Sequence, residues 1–438
     1  MIHYSQAIEY IYNLNKYGIK LGLKNITYLL SLFDNPHLKT KVIHIAGTNG
    51  KGSTASIISS IVKTAGFKVG LYTSPHLVHF QERMRIDGEL ISQKAVCHLL
   101  ERMKPIIRKV ATTEGYQHPT FFEVITAMAF LYFYENHADF SIIEVGLGGR
   151  LDATNVCQPL VSVISHIDYD HMDRLGNTLT EIAREKGAII KDKTFVVNAK
   201  QYPEVHEAIK AIAEEKQALL YSVGEEINPS LTHSDLKGND FHYSGIYHRF
   251  KDFHVPLAGE YQVENASMAI AVAELLDHMG YQVSEHDIIE GLKNSRWPGR
   301  FEIVQKQPMV ILDGAHNPNG VAQFIKNLKK LVLDKRIIAV LGIFSDKDYY
   351  RILKNIVPFV DQLILTMANN PRATPTHILA REAGRYISHE KITEKTTVDA
   401  AIQESFRIAK KDDVICITGS LYTVGEAEAY FLKKRNNQ

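Results

Sequence analysis

The sequence predicts an α/β protein of two domains: a larger N-terminal one on a mostly parallel sheet with a small antiparallel region, and a smaller C-terminal Rossmann-like one. Three observations carry this expectation. Short β-branched runs alternate with helical patterns along nearly the whole chain, the signature of parallel sheets covered by helices. The runs are continuously apolar, as strands buried on both faces are. At 438 residues the chain is long for one core, and length alone suggests about two or three domains.

The first strands expected are KVIHIA (41–46), FKVGLYT (67–73), FSIIEVG (140–146), LVSVISHI (160–167) and KTFVVNA (193–199). From Tyr221 to Leu257 the alternation stops, and scattered polar, glycine and aromatic residues read as an antiparallel hairpin region or a long insertion. Residues 261–280, YQVENASMAIAVAELLDHMG, read as a helix closed by Gly280. Trp297, Pro298 and Gly299 then break both periodicities, so domains of 1–296 and 297–438 are expected. A second strand series follows: MVILDGA (309–315), RIIAVLGIF (336–344), QLILTMA (362–368) and DDVICITGS (412–420).

Fifty basic against forty-nine acidic side chains leave a formal charge of +1. No excess charge steers the chain to nucleic acid or an anionic membrane, so the partners expected are small molecules. Cys97, Cys157 and Cys416 lie far apart without a C-x-x-C pair, which argues against a disulfide framework and a thiolate zinc site. The N-terminus lacks the basic-then-apolar order of a signal peptide. The longest apolar run, Val124 to Tyr134, falls far short of the roughly 20 residues that span a bilayer. A cytoplasmic, monomeric enzyme is the expectation.

The chemistry begins at HIAGTNGKGSTAS (44–56). An apolar strand leads into a glycine loop with lysine and hydroxyl residues, and an amphipathic helix follows. Backbone N–H groups and a helix N-terminus favour an anion, glycine lets the backbone approach it, and lysine adds a mobile charge. The loop predicts nucleotide binding and an ATPase-type N-terminal domain, although Gly52 separates Lys51 from Ser53 where the usual rule has them adjacent. Glu144 closes FSIIE as metal-holding carboxylates close strands in phosphate-loop enzymes. SHIDYDHMDRLG gathers Asp168, Asp170, His171 and Asp173; magnesium prefers oxygen, so by chemistry alone His171 is an ordinary loop histidine. By the same reasoning Lys186 is an ordinary lysine on a helix surface. No guanine-reading Asn-Lys-x-Asp is present. A small-molecule kinase does not explain the unusual strand ends of the second domain, LDGAHNPNG and ITGSLYTVGE.

In order along the chain, GTNGKGST, TSPHLVHFQERMRIDG, EVGLGGRLDATN, DHMDRLGNTLTEIAREKGA, RWPGRFE, DGAHNPNG and GSLYTVGE resemble the folylpolyglutamate synthases and their bifunctional dihydrofolate synthase relatives. This family belongs with the Mur ligases, and glycine between lysine and serine is its own loop variant. The resemblance implies an ATP-dependent ligase that adds L-glutamate to the γ-carboxylate of reduced folates through an acyl phosphate. Dihydropteroate is the alternative acceptor, as a second or sole activity. A Mur cell-wall ligase is a lesser alternative, since the loop lysine at position 51 leaves no room for a preceding nucleotide-sugar domain. A non-catalytic nucleotide-binding regulator is another.

The resemblance also implies roles. Gly47, Thr48, Asn49, Gly50, Lys51, Gly52, Ser53 and Thr54 would cradle the phosphates, with Asn265, Arg300 and Asp313 on the nucleotide. Ser74 and Glu144 would bind a first magnesium ion, and His171 with a carbamylated Lys186 a second. Arg83, Phe121, Phe122 and Glu123 would line the folate pocket, and Asp313, His316 and Ser420 would serve ATP and the incoming glutamate. Lys51, Lys186 and His316 are the catalytic candidates. One departure stands out: EKGAII replaces the family's EKAGI order, and the moved glycine is expected to alter the helix just after Lys186.

Overall fold

The computed structural model describes residues 2–436 except Ile19, Leu21 and Leu333. The chain folds as two compact units. The first holds Met1–Ser230, Phe241–Val255 and Val263–Ser295; the second holds Leu231–Asp240, Pro256–Gln262 and Arg296–Gln438.

The first unit is built on eight strands: β1 (Lys41–Ala46), β2 (Val69–Tyr72), β3 (Met84–Ile86), β4 (Glu89–Leu90), β5 (Phe140–Glu144), β6 (Pro159–Ile164), β7 (Phe195–Asn198) and β8 (Leu219–Ser222). Their order is β4-β3-β2-β5-β1-β6-β7-β8. From β2 to β8 the neighbours are parallel, and β3 and β4 add an antiparallel edge. The crossover positions put the ends of β1, β2, β5 and β6 side by side. In open α/β sheets ligands bind beyond such carboxyl ends.

One face of this sheet is covered by the N-terminal helices, where Ala7, Ile11, Ile26, Leu29 and Leu30 pack with Met103, Ile107, Phe130 and Phe133. Elsewhere in the unit Ile164, Ile182, Ile189, Val205 and Ile209 form a second core. β9 (Asn228–Asp235), β10 (Gly238–Ser244) and β11 (Arg249–Val255) make a separate three-stranded sheet. Its connections are far shorter than a parallel crossover needs, so it runs antiparallel.

The second unit carries β12 (Glu302–Lys306), β13 (Met309–Leu312), β14 (Ile337–Leu341), β15 (Gln362–Leu365), β16 (Ile392–Glu394) and β17 (Val414–Thr418), ordered β12-β13-β17-β14-β15-β16. All pairs are parallel except β12 with β13. Phe324, Leu328, Ile352, Leu379 and Cys416 lie in its core.

Each expected strand run contains a strand, and the 261–280 pattern forms the Tyr261–His278 helix. Gly280 ends it at φ 90°, with the Tyr281 N–H reaching back to Leu276 O at 3.0 Å, a glycine C-cap. The moved glycine, Gly187, is the last residue of its helix. The Leu179–Gly187 helix runs regularly through Lys186 and is capped by Ala188 in right-handed geometry. Gly187 instead allows close packing: a Cβ there would lie 2.7 Å from Ile212 Cδ1 and 2.9 Å from Ile209 Cδ1.

A similar close approach fixes the helix behind the phosphate loop. The Lys51–Thr64 helix packs on the Glu285–Asn294 helix, where a Cβ on Gly291 would lie 2.5 Å from Ile61 Cα. Ser60 Oγ donates to Gly291 O at 2.6 Å. In an open helix glycine to alanine gains up to about 1 kcal/mol, but here the clash is with backbone and decides the sign. Gly291→Ala should destabilise by about 1–3 kcal/mol, read as a lowered denaturant midpoint; an unchanged or raised midpoint would refute the close packing.

Candidate functional site

β1 ends in the glycine loop, and Gly47 makes the first demand. Its φ is 146°, and a Cβ would stand 2.0 Å from Ser165 Oγ and 2.9 Å from Ser165 O. Only glycine meets both conditions. The loop is braced on the segment after β6. The Thr48 and Asn49 N–H groups donate to His166 O at 2.9 and 3.1 Å. Thr48 Oγ1 donates to Asp168 O at 3.0 Å. These two amides face inward, so the anion-facing amides are those that open the Lys51–Thr64 helix, before the ladder begins with Thr54 N to Gly50 O.

Gly50, left-handed at φ 93°, is the N-cap, and a Cβ there would lie 2.5 Å from Asn265 Oδ1. That oxygen also accepts from Thr54 Oγ1 at 3.4 Å. Asn265, buried on the Tyr261–His278 helix, therefore sits on the loop.

The two candidate lysines meet at one atom. Lys51 Nζ donates to Gly47 O at 3.1 Å and to Thr48 O at 3.2 Å. Lys186 Nζ donates to the same Gly47 O at 2.9 Å. Chemistry alone made Lys186 a helix-surface residue, and that reading is wrong: it is 5% exposed. The apolar stripe of its helix packs against the Pro203–Glu215 helix and the sheet, which turns the last-turn lysine inward to the loop.

Glu144 ends β5 beside β1, opposite Ile45, and is 5% exposed. Its Oε2 accepts from the Ser74 N–H at 3.1 Å, drawing the loop after β2 to the same strand edge. His171 follows β6 in left-handed geometry, with Nε2 3.9 Å from Asp170 Oδ1. Among the described residues no three of His, Cys, Asp and Glu come together in a group suited to holding a metal.

Arg83, Phe121 and Tyr12 form another part of this unit. Arg83 is buried, its guanidinium 5.5 Å from the Phe121 ring centre. Its Nε donates to His76 Nδ1 at 2.7 Å. Burial, then the Arg83 charge, pushes the His76 imidazole down to about 3, which leaves Nδ1 free to accept. The proton then sits on Nε2, 3.2 Å from the Tyr12 hydroxyl. Tyr12 stacks on Phe121 at 5.8 Å between centres. Tyr12 and His76 were not picked out from the sequence, because helical spacing marks Tyr12 only as a surface residue.

Phe122 lies against Gly146, where a Cβ would stand 2.3 Å from its Cζ. Glu123 is the capping-box residue of the Phe121–Glu135 helix, its Oε2 accepting from Thr120 N and Oγ1 at 2.7 and 2.9 Å. Thr-Phe-Phe-Glu carried that signal in the sequence.

In the second unit the candidate residues lie at the carboxyl ends of paired strands β13 and β17. Asp313 is buried; Oδ2 accepts from Phe301 N and Oδ1 from Ala315 N, both at 2.9 Å. Burial raises its pKa and Arg300 opposes the rise. His316 Nδ1 lies 2.8 Å from Gly314 O; a carbonyl only accepts, so Nδ1 carries the proton. Asn317 caps the Pro318–Leu331 helix through Gly320 N, as its position predicts. Ser420 Oγ accepts from Thr423 N at 3.0 Å at the start of the Leu421–Asn436 helix.

Comparisons with known proteins agree with this arrangement. Residues 92–273 match the Mur ligase middle domain and residues 299–421 the Mur ligase, glutamate ligase domain. The dihydrofolate synthase/folylpolyglutamate synthase of Bacillus subtilis is 36% identical over 97% of this chain and 98% of its own length. The chain belongs to the folylpolyglutamate synthase and dihydrofolate synthase family. Another relative, the folylpolyglutamate synthase of Lacticaseibacillus casei, is 33% identical over 96% of this chain and 97% of its own. Escherichia coli FolC, solved in complex with DHPP and ADP, superposes with a TM-score of 0.88 at 32% identity, covering 99% of both chains. This member of the family is thus a ligase-type enzyme with an α/β fold throughout. No helix among its described residues is long and apolar enough to cross a membrane.

Two outcomes follow for the loop and its strand. Gly47→Ala should lower ATP turnover at least 100-fold, while Gly224→Ala, at φ 99° with nothing within 4 Å of its Cβ, should leave it unchanged; equal losses would refute the close approach. His44, fully buried on β1, is held down to about 3 chiefly by burial. Its folded pKa lies below the unfolded 6.5, so its stabilising contribution is complete above pH 6.5 and shrinks as pH falls toward 3. By pH 5 it should be smaller by about 2 kcal/mol. Urea denaturation at pH 7.5 and 5 checks this, and a His44→Gln variant should lose less over the same interval.

Proposed function

We propose that this chain joins the amine of L-glutamate to the γ-carboxylate of a reduced folate, splitting ATP to ADP and phosphate. The observation that carries the reading is Gly47 O, on which Lys51 and Lys186 converge. Two cations at the mouth of a helix N-terminus suit a polyphosphate.

A carboxylate is a poor electrophile because oxide is a poor leaving group. Transfer of the γ-phosphoryl to its oxygen gives an acyl phosphate, the glutamate amine attacks the acyl carbon, and phosphate leaves. The protein's work is to position anionic reactants and neutralise their charge. In this reading Gly47 to Thr54 and Asn265 hold the nucleotide, with Lys51 and Lys186 at its phosphates. Arg83, Phe121, Phe122 and Tyr12 present the acceptor, with Glu123 fixing the start of their helix. Arg300, Asp313, His316 and Ser420 serve the nucleotide and the amino acid. Residues 1–296 are assigned as the Mur-ligase-type ATP-binding domain and 297–438 as the glutamate-ligase domain.

The donors fit magnesium. A buried carboxylate, Glu144, and the Ser74 hydroxyl are oxygen ligands, and magnesium commonly takes one or two such groups with substrate phosphates and waters. The bound ion would neutralise charge on the transferring phosphoryl group. His171 is assigned to a second cation on resemblance alone. A carbamate on Lys186 is the alternative state of that side chain: it would replace the second lysine cation with an oxygen ligand for the metal and leave Lys51 as the charge at the phosphates.

Dihydropteroate is the second acceptor considered, favoured by the double name of the Bacillus relative. Phosphate release should be measured with tetrahydrofolate and dihydropteroate separately, each with and without glutamate. Glutamate-dependent release with tetrahydrofolate supports the proposal, and release with both makes the enzyme bifunctional. Release with only dihydropteroate overturns the primary acceptor, and nucleotide binding without turnover overturns catalysis.

A further inference from the structure

Arg372 lies on the loop after β15 and takes no part in the site described above. Its guanidinium carbon is 4.6 Å from the Phe344 ring centre and 5.7 Å from that of Tyr422. The two rings are themselves 5.2 Å apart. Phe344 follows β14 and Tyr422 follows β17, and the sheet order β13-β17-β14-β15 makes all these strand ends neighbours. The stacked guanidinium thus reaches back over the carboxyl ends beside Ser420.

The loop that presents it is fixed. Ser345 N donates to Arg372 O at 2.8 Å, Thr374 N to Ile343 O at 2.9 Å, and Arg372 N to Asn370 Oδ1 at 3.0 Å. Asn369 N donates to Glu426 on the Leu421–Asn436 helix at 2.6 Å. By contrast the guanidinium donates no hydrogen bond among the described residues; its ion-pair contact is Asp346 Oδ2, 3.6 Å from Nη1. That is beyond hydrogen-bond range. The side chain keeps 49% exposure. Nearby, the buried hydroxyls of Thr366 and Thr374 have no hydrogen-bond partner among the described residues.

Contact with the two rings holds the guanidinium in place while its N–H groups make no hydrogen bond among the described residues, and a guanidinium so left can receive a carboxylate through two parallel hydrogen bonds. We propose that Arg372 binds a carboxylate of the incoming dicarboxylic amino acid. The inference rests on the glutamate-ligase reading and assigns a specificity residue to it. The side-chain or main-chain carboxylate serves the same geometry. The Asp346 carboxylate, 3.6 Å from Nη1, is the group a substrate carboxylate would compete with.

The test is steady-state kinetics of wild type, Arg372→Gln and Arg372→Lys, varying glutamate, ATP and folate acceptor in turn. Losing a paired, charge-assisted contact should raise the glutamate KM of Arg372→Gln by about 10–100-fold. KM for ATP and acceptor should stay within about threefold, and kcat at saturating glutamate should be largely kept. Arg372→Lys keeps the charge without the planar fork and should fall between. Asp346→Asn should lower the glutamate KM modestly. An active Arg372→Gln with unchanged glutamate KM, or with all three KM values raised alike, overturns the inference alone. Wild-type silence with glutamate overturns both it and the reading beneath it.

Discussion

Two ammonium groups on one carbonyl oxygen set the terms for the first unit. Lys51 and Lys186 each lie about 3 Å from Gly47 O, so their charges are within about 6 Å of one another. At an effective dielectric near 20 such a pair repels by roughly 3 kcal/mol. The backbone holds the arrangement: Lys51 opens a helix fixed by the glycine loop, and Lys186 is buried on a helix fixed from behind. A polyanion beside the two groups would turn the repulsion into attraction, the kind of preorganisation that favours steps in which charge develops.

The glycine-rich segment after Glu144 does the fixing from behind. A Cβ on Gly149 would stand 2.5 Å from Glu185 O and 3.0 Å from Lys186 Cα, so this backbone lies directly on the helix that carries Lys186. Arg150 N donates to Glu185 O at 2.8 Å, and its Nε pairs with Glu185 Oε1 at 2.8 Å. Buried Asn155 donates Nδ2 to Arg150 O and Ala188 O while Oδ1 accepts from Lys191 Nζ. From the other side, Thr154 Oγ1 donates to Asp152 Oδ1 at 2.5 Å and lies 2.8 Å from His44 Nε2 on β1. A single segment therefore ties the strand that feeds the phosphate loop to the helix that supplies the second lysine.

Much of this was legible in the sequence, and the failures have physical causes. Strands β1, β5, β6, β13, β14 and β17 are buried on both faces and were visible as Val and Ile runs. Strands β3, β4, β12 and β16 are short or partly exposed, and their few residues carry no period to read. The loop was legible because strand, glycine, lysine and helix are consecutive. Lys186 was not, because helical spacing says which residues share a face but not what covers it. Arg372 and Tyr12 owe their surroundings to rings tens or hundreds of residues away, and no local pattern announces such a contact. Glu123 is the reverse case: Thr120 with Glu three positions later is a local capping pattern, and a pocket assignment by resemblance hid it.

The glycine after Lys51 belongs to the same logic. On a helix one inserted residue turns the following side chain by about 100°. Where phosphate-loop enzymes put a metal-facing hydroxyl directly after lysine, Gly52 shifts that duty around the helix, and Ser53 is 3% exposed and Thr54 fully buried. Thr54 spends its hydroxyl on Asn265. In the proposed reaction the metal's oxygen ligands are assigned outside the loop. Ser74 and Glu144, which the proposal assigns to the metal, stand at two different strand ends joined by the Ser74 N–H bond to the Glu144 carboxylate. A substitution that loosened that bond would part the two strand ends even with every loop residue in place.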